Sequence, residues 1–343
     1  MTPAPHDLLT RLLKEVSRSW YLSLSVLPPS VRSQIGLAYL LARTTDTVAD
    51  TEIVPLEQRL HLLDLLRRRI LGESEAGLDF NELAKRQGSS AERELLLRSE
   101  ESVRLLPHFS EMDRALIRKL LTTICSGQEL DLRRFAGGSD KHVIALQTDA
   151  ELEDYTYRVA GCVGEFWTSL CRAHVFPSAP LEEPLLIRRG VEFGKGLQLV
   201  NILRDLPADL RKGRCYLPSQ ELQKHSLTPS DLLRPESEAK LRPLYNSYLD
   251  RAEHWLDSGS AYTLSLPWRC VRVRLACAWP ILIGRGTLDR LRSGVILDPN
   301  RTIKVARNEV YRIMAASLLL YPCPTLWRRL FRVTTPESGR PKA

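Results

Sequence analysis

The chain has 343 residues, 43% hydrophobic and 26% charged, enough to bury a full core in a single domain. Its net charge of +8 suits an anionic partner. The basic residues are scattered, with clusters only at 67–69 and 328–332 and no zinc-finger or RNP-like pattern, which argues against nucleic acid.

Leucine-rich segments with helical spacing run over 8–25, 31–51, 56–71, 90–105, 111–134, 151–175, 184–205, 236–258, 270–292 and 302–320. Alternating β-branched runs are nearly absent, so the expected fold is all-α. No linker divides the chain, which gives one domain over 1–333 and a flexible tail at 334–343.

In the second segment, Pro28 and Pro29 precede Ser30, the expected N-cap. At roughly 100° per residue, Arg32, Tyr39, Arg43, Asp46 and Asp50 share a strip about 60° wide. Ile35, Leu37, Ala38, Leu40, Leu41, Ala42, Val48 and Ala49 fill the remaining circumference. A helix apolar on nearly all sides is buried, so the charged strip faces an internal cavity. Carboxylates one turn apart repel by about 0.2–0.5 kcal/mol when exposed, and more when desolvated. Arg43 cannot neutralise both. Oxygen ligands in this pattern suit Mg²⁺, which binds through one or two carboxylates plus substrate phosphate. Any single Asp-xxx-Asp pair is more often a solvated face; the apolar surround shifts the balance here.

The 151–175 segment carries Tyr155, then Gly161 and Gly164, each costing about 1 kcal/mol relative to Ala inside a helix. Such a smooth face admits a close-packed neighbour or a bulky apolar ligand, and the sequence leaves both open. Tyr155 is placed to bond a phosphate or move a proton, although a lone tyrosine is most often structural.

Further on, Gln198, Asn201, Asp205 and Asp209 recur on one helical strip. Pro207 is expected to kink or restart that helix near 203–207, leaving Asp209 in a first turn or loop. Arg204 lies about 100° around from Asp205, so it reaches a ligand obliquely or pairs elsewhere. Gly194-Lys195-Gly196 lacks phosphate-loop spacing, and no Gly-x-Gly-xx-Gly follows a strand, so a nicotinamide cofactor would bind outside a Rossmann fold.

Residues 310–332 combine Met314, Leu318, Leu319, Leu320, Tyr321, Leu326, Trp327, Leu330 and Phe331 with Arg328, Arg329 and Arg332. They suit either an interfacial segment on anionic lipid or a final core helix with a solvated tail. No run of 18 apolar residues predicts a transmembrane helix, and the N-terminus has no signal-peptide pattern. Seven cysteines without Cys-xx-Cys spacing read as buried thiols in a reducing compartment. The expected location is the cytoplasm, with peripheral contact at the inner membrane face through 310–332.

Several motifs, in order, resemble the squalene/phytoene synthase family of head-to-head prenyl synthases. These are Ser17-Arg18-Ser19-Trp20 with Leu27-Pro28, then Tyr39-xxx-Arg43-xx-Asp46-xxx-Asp50. Tyr155-x-Tyr157-x-Val159-Ala160-Gly161-x-Val163-Gly164 follows, and last Gln198-xx-Asn201-xx-Arg204-Asp205-xxx-Asp209 with Arg214-x-Tyr216-Leu217-Pro218. The resemblance covers about residues 12–312. It implies an isoprenoid-synthase bundle around a central apolar pocket, with Asp46, Asp50, Asp205 and Asp209 holding Mg²⁺ for two prenyl diphosphates. It further implies substrate contacts from Arg18, Tyr39, Arg43, Gln198, Asn201 and Arg204, and a tyrosine near the proton-loss step at Tyr155. Arg18, Arg43 and Arg204, with Lys304 and Arg307, would meet the phosphates of NADPH. Ala49 and Ala208 stand where the family's motifs offer a further acidic residue, so the number of ions is open.

Glu129-Leu130-Asp131-Leu132-Arg133-Arg134-Phe135, Cys162–Trp167 and Leu275–Pro280 look more like bacterial squalene synthases than phytoene synthases. The expected activity is therefore condensation of two farnesyl diphosphates through presqualene diphosphate, followed by NADPH-dependent reduction to squalene, in a monomer. The alternatives are presqualene diphosphate, hydroxysqualene, dehydrosqualene or phytoene as product, or a non-catalytic isoprenoid-diphosphate-binding protein.

Overall fold

Proline and capping chemistry set the limits of the long helices. The computed structural model describes residues 7–17, 20–52 and 54–331. Helix α1 spans Pro29–Asp50, with Pro28 extended at the N-cap and Pro29 at the first helical position. Ser30 is therefore inside the first turn and not the cap, because a proline's fixed φ and missing N–H suit that first position. Helix α2 (Leu56–Leu71) stops at Gly72, which takes a left-handed φ of 78°. Helix α3 (Glu111–Arg134) is capped by the Ser110 hydroxyl, which accepts the Asp113 N–H, and ends on Arg133 and Arg134, complementing the helix dipole.

Strand β1 (Ile144–Ala145) precedes helix α4 (Asp149–Thr156), which passes through a π-helical turn, Tyr157–Gly161, into α5 (Cys162–His174). Helix α6 (Glu183–Arg211), strand β2 (Arg214–Cys215), and helices α7 (Glu238–Ser265), α8 (Val271–Ser293) and α9 (Arg307–Leu320) follow. The fold is all-α. Its named strands among the described residues are only β1 and β2, which pair in parallel, Ile144 with Arg214 and Ala145 with Cys215. The expected helix over 90–105 is split into Ser90–Leu97 and Ser99–Val103. The last expected helix begins five residues late, because 301–306 runs extended with Ile303 and Val305 turned inward.

Pro207 does not break α6, which continues to Arg211. The proline leaves the Leu203 carbonyl without its helical donor, and the buried Tyr245 hydroxyl of α7 donates to that oxygen at 2.8 Å. Asp209 consequently stands in the last turn of an intact helix, not in a loop or a first turn.

The glycine face of the central segment serves helix packing. A Cβ on Gly164 would sit 1.8 Å from the Gly190 carbonyl oxygen, and one on Gly194 would sit 2.2 Å from that of Ala160. The two backbones touch where α5 crosses α6, which settles the two readings in favour of a close-packed neighbour. Phe193 of α6 then touches all three apolar clusters found among the described residues.

The C-terminal stretch is divided between the two readings made for it. Tyr321, Trp327 and Phe331 are buried. The Arg274 guanidinium lies 4.7 Å from the Trp268 ring centroid and 4.6 Å from that of Trp327. Leu318, Leu319 and Leu326 remain exposed, Leu319 by 79%. Arg332 lies outside the described residues. No described helix is long and apolar enough to cross a membrane. Six of the seven cysteines are buried and all are free thiols.

Candidate active site

On α1, burial separates the strip from the rest of the helix. Val31, Ile35, Leu37, Ala38, Leu40, Leu41, Val48 and Ala49 are buried, whereas Arg32, Tyr39, Arg43 and Asp46 are half-buried and Asp50 is exposed. The accessible stripe is the one the helical spacing predicts. Gln128 of α3 donates its Nε2 to Asp46 Oδ1 at 2.5 Å, while Gln128 Oε1 is buried without a partner. Burial, and then the Asp50 charge, push the Asp46 carboxyl up to about 6. Arg43 turns to Glu92, 2.6 Å away, leaving its Nε buried and unpartnered.

The second strip has the same character on α6. Gln198, Asn201, Asp205 and Asp209 are half-buried, between buried Leu199, Ile202, Leu203 and Leu206. Arg204 closes onto its neighbour Asp205 through two bonds of 2.8 and 2.5 Å, so it pairs within the site. Burial, and then the Asp205 charge, push Asp209 up to about 7.

The ends of both strips meet around Tyr155. Its ring stacks on Tyr216 with centroids 4.6 Å apart. The Tyr216 hydroxyl donates to Asp131 of α3, 3.0 and 3.1 Å from its two carboxylate oxygens. Arg214 Nη1 lies 3.5 Å from the same carboxylate. Burial and then the Asp131 charge, with Asp209 and Asp50 adding to it, hold the Tyr155 phenol well above its usual range. Burial pushes Asp131 itself up to about 6. The π-helical turn directly after Tyr155 fits a site of function, where such turns are frequent.

Asp131, Gln128 and Arg214 carry no role in the sequence reading, yet they support the acidic residues and Tyr155. A signal existed for the first two: Leu120, Ile124, Gln128 and Asp131 recur at helical spacing on the buried face of α3. Lys304 and Arg307 are exposed, and among the described residues they bond to none of these groups. Arg18 lies outside the described residues.

The donors suit a hard cation. Among the described residues no three Asp, Glu, His or Cys side chains converge on one point, so a bound ion would fill its shell from water and phosphate, as Mg²⁺ does. Mutual repulsion within each pair is the feature such an ion relieves.

A model of the family described as squalene/phytoene synthase matches residues 13–296. The chain belongs to that family. Its members are prenyltransferases. The bifunctional lycopene cyclase/phytoene synthase of Arthroderma gypseum is 29% identical over 254 residues, which is 71% of this chain but 39% of the relative. The squalene synthase of Schizosaccharomyces pombe is 26% identical over 328 residues, 94% of this chain and 67% of the relative. The solved structure of TcSQS with the ligand E5700 superposes with a TM-score of 0.74 at 22% identity, covering 97% of this chain and 94% of that one. This last likeness supports the fold.

Proposed function

We propose that the chain is a squalene synthase that joins two farnesyl diphosphates through presqualene diphosphate and reduces the product with NADPH. The convergence of two acidic strips on the Tyr155 hydroxyl carries this reading. Asp46 and Asp50 on one wall and Asp205 and Asp209 on the other would hold Mg²⁺, which when bound neutralises the departing diphosphate. In the first half-reaction the C1–O bond of one substrate breaks and its electron pair leaves with the diphosphate. The double bond of the second chain then supplies the electrons of the new C–C bond, and loss of a proton closes the cyclopropane ring. Tyr155, stacked on Tyr216, keeps its proton at neutral pH and so can donate a hydrogen bond from Oη to a phosphate oxygen. Arg43 and Arg204 add fixed positive charge beside each carboxylate pair, while the apolar faces of α1 and α6 limit water near a carbocation. In the second half-reaction the remaining C–O bond breaks and the cation rearranges. The exposed Lys304 and Arg307 would hold the phosphates of NADPH, which would supply the terminating hydride.

The exposed Leu318, Leu319 and Leu326 beside Arg328 and Arg329 support a peripheral contact with anionic lipid. A relative at 29% identity is named a bifunctional lycopene cyclase/phytoene synthase, which favours phytoene as the second reading. One assay decides between them: purified protein with Mg²⁺ and either farnesyl or geranylgeranyl diphosphate, with and without NADPH, followed by mass spectrometry. Squalene formed only with NADPH is expected. Phytoene, or presqualene diphosphate that NADPH does not consume, would replace the proposal.

A further inference from the structure

Just beyond the Tyr155 cluster, three cations face a cavity that the reaction above does not use. The cavity, about 260 Å³, lies between the start of α2, the end of α3 and the turn joining α6 to β2. Arg59, Lys212 and Arg214 line it, together with Glu52 and Asp131. Asp131 is thus a wall shared with the Tyr155 cluster. Gly213, at a left-handed φ of 74°, lets the backbone of Gly138 and Ser139 close the far side, since a Cβ there would lie 2.0 Å from the Ser139 nitrogen.

The cations are held loosely. Arg214 and Lys212 approach Glu52 at 3.4 and 3.9 Å, and Arg214 approaches Asp131 at 3.5 Å. Arg204, by comparison, closes on Asp205 at 2.5 Å. Arg59 gives Nη1 to the Ala49 carbonyl at 2.9 Å and leaves its Nε buried with no partner. Burial and then the Arg214 charge push the Arg59 guanidinium below its usual range, whereas that of Arg214 is raised against its burial by Tyr216, Asp131, Asp50 and Glu52. By contrast, the wider cleft of about 450 Å³ between α7, α8 and α9 is lined by two cations, Arg285 and Arg312, against three acidic residues, Glu253, Asp289 and Glu309, and its Arg285 is paired with Asp257.

We propose that this cavity is a second anion site, which receives inorganic diphosphate as it leaves the reaction centre. The identity of the anion rests on the proposed prenyl transfer. Two guanidinium groups and an ammonium match a compact polyanion, which guanidinium binds bidentately. Glu52 is half-exposed, and ion pairs in water hold weakly, so an incoming diphosphate displaces it readily. The polar, charged lining disfavours a prenyl tail, which separates released diphosphate from the diphosphate head of a substrate.

The test uses the full chain in Mg²⁺-free buffer, where the aspartate strips repel the anion, and titrates inorganic diphosphate by calorimetry. One diphosphate per chain is expected, weakened at least tenfold in the Arg59→Gln/Lys212→Gln variant. Lys212→Glu serves as a second variant at a half-exposed position where folding is not at stake. With Mg²⁺ and substrate, the double variant should keep its single-turnover rate while inhibition by added diphosphate weakens at least fivefold. Unchanged diphosphate binding in both variants would overturn the proposal, as would farnesyl diphosphate binding this site as tightly as free diphosphate. A failure of the enzymatic reading shows up separately, as absence of turnover in the unaltered chain.

Discussion

Asp131 governs a neighbour it does not bond to. It fixes the Tyr216 hydroxyl, and the Tyr216 ring is the platform for Tyr155. A hydrogen bond to a charged acceptor contributes about 1.5–3 kcal/mol. Asp131→Ala should therefore lower kcat by about 10- to 100-fold with KM nearly unchanged, because the aspartate strips proposed to hold the diphosphates remain. Asp131→Asn keeps an acceptor for Tyr216 and should recover much of that loss, a rescue that a purely structural role for the carboxylate would not give. If both variants behave alike in steady-state kinetics, Asp131 does not act through Tyr216. The pairing was invisible in the sequence because Asp131 and Tyr216 lie 85 positions apart. The aspartates, in contrast, declared themselves through helical spacing, as each pair sits one turn apart on its own helix.

Helical periodicity located the long helices, since an apolar stripe every 3.6 residues is a local property, but α6 and α7 run on to Arg211 and Ser265, past their expected ends at 205 and 258. Their continuity depends on partners far along the chain, and there the sequence misled. Pro207 reads as a break until Tyr245 is seen donating to the freed Leu203 carbonyl. Tyr245→Phe should cost about 1–3 kcal/mol by leaving that buried oxygen unsatisfied. In a Pro207→Ala background the restored N–H takes over the carbonyl, so the same Tyr245→Phe change should cost markedly less. Chemical denaturation of the four proteins measures the coupling, and additive costs would show that the tyrosine does not compensate for the proline. Contact between α5 and α6 makes the sharper demand. Gly164→Ala places a methyl 1.8 Å from the Gly190 oxygen, and two packed backbones cannot both give way. A loss upward of about 3 kcal/mol is expected in the same experiment, against the small gain that Ala normally brings to a helix interior.

For the whole molecule, the gathered carboxylates make the ligand-free fold least comfortable at the pH where it would work. Asp46 and Asp131 are raised to about 6 and Asp209 to about 7, from 3.8. Between about pH 4 and 7 the folded chain holds protons that the unfolded chain releases, so stability falls as pH rises through that window. Asp7 and Glu94 are shifted the opposite way by hydrogen bonds from Arg11, and their contribution is lost only below about pH 4. The melting temperature of the ligand-free protein should therefore peak near pH 4 and decline toward pH 8, as read by calorimetry. On the proposed function Mg²⁺ with diphosphate would bind the ionised carboxylates, and so should raise the melting temperature more at pH 8 than at pH 5.5. Asp209→Asn removes one of the three titrations. It should flatten the decline and stabilise the ligand-free protein at pH 8 while abolishing turnover, the exchange of activity for stability expected where like charges are held together for function. A melting temperature that stays level or rises from pH 5 to pH 8 would mean that these aspartates ionise as freely folded as unfolded. The convergence of the two strips on Tyr155 would then lack the electrostatic tension that the proposed cation and its diphosphate would relieve.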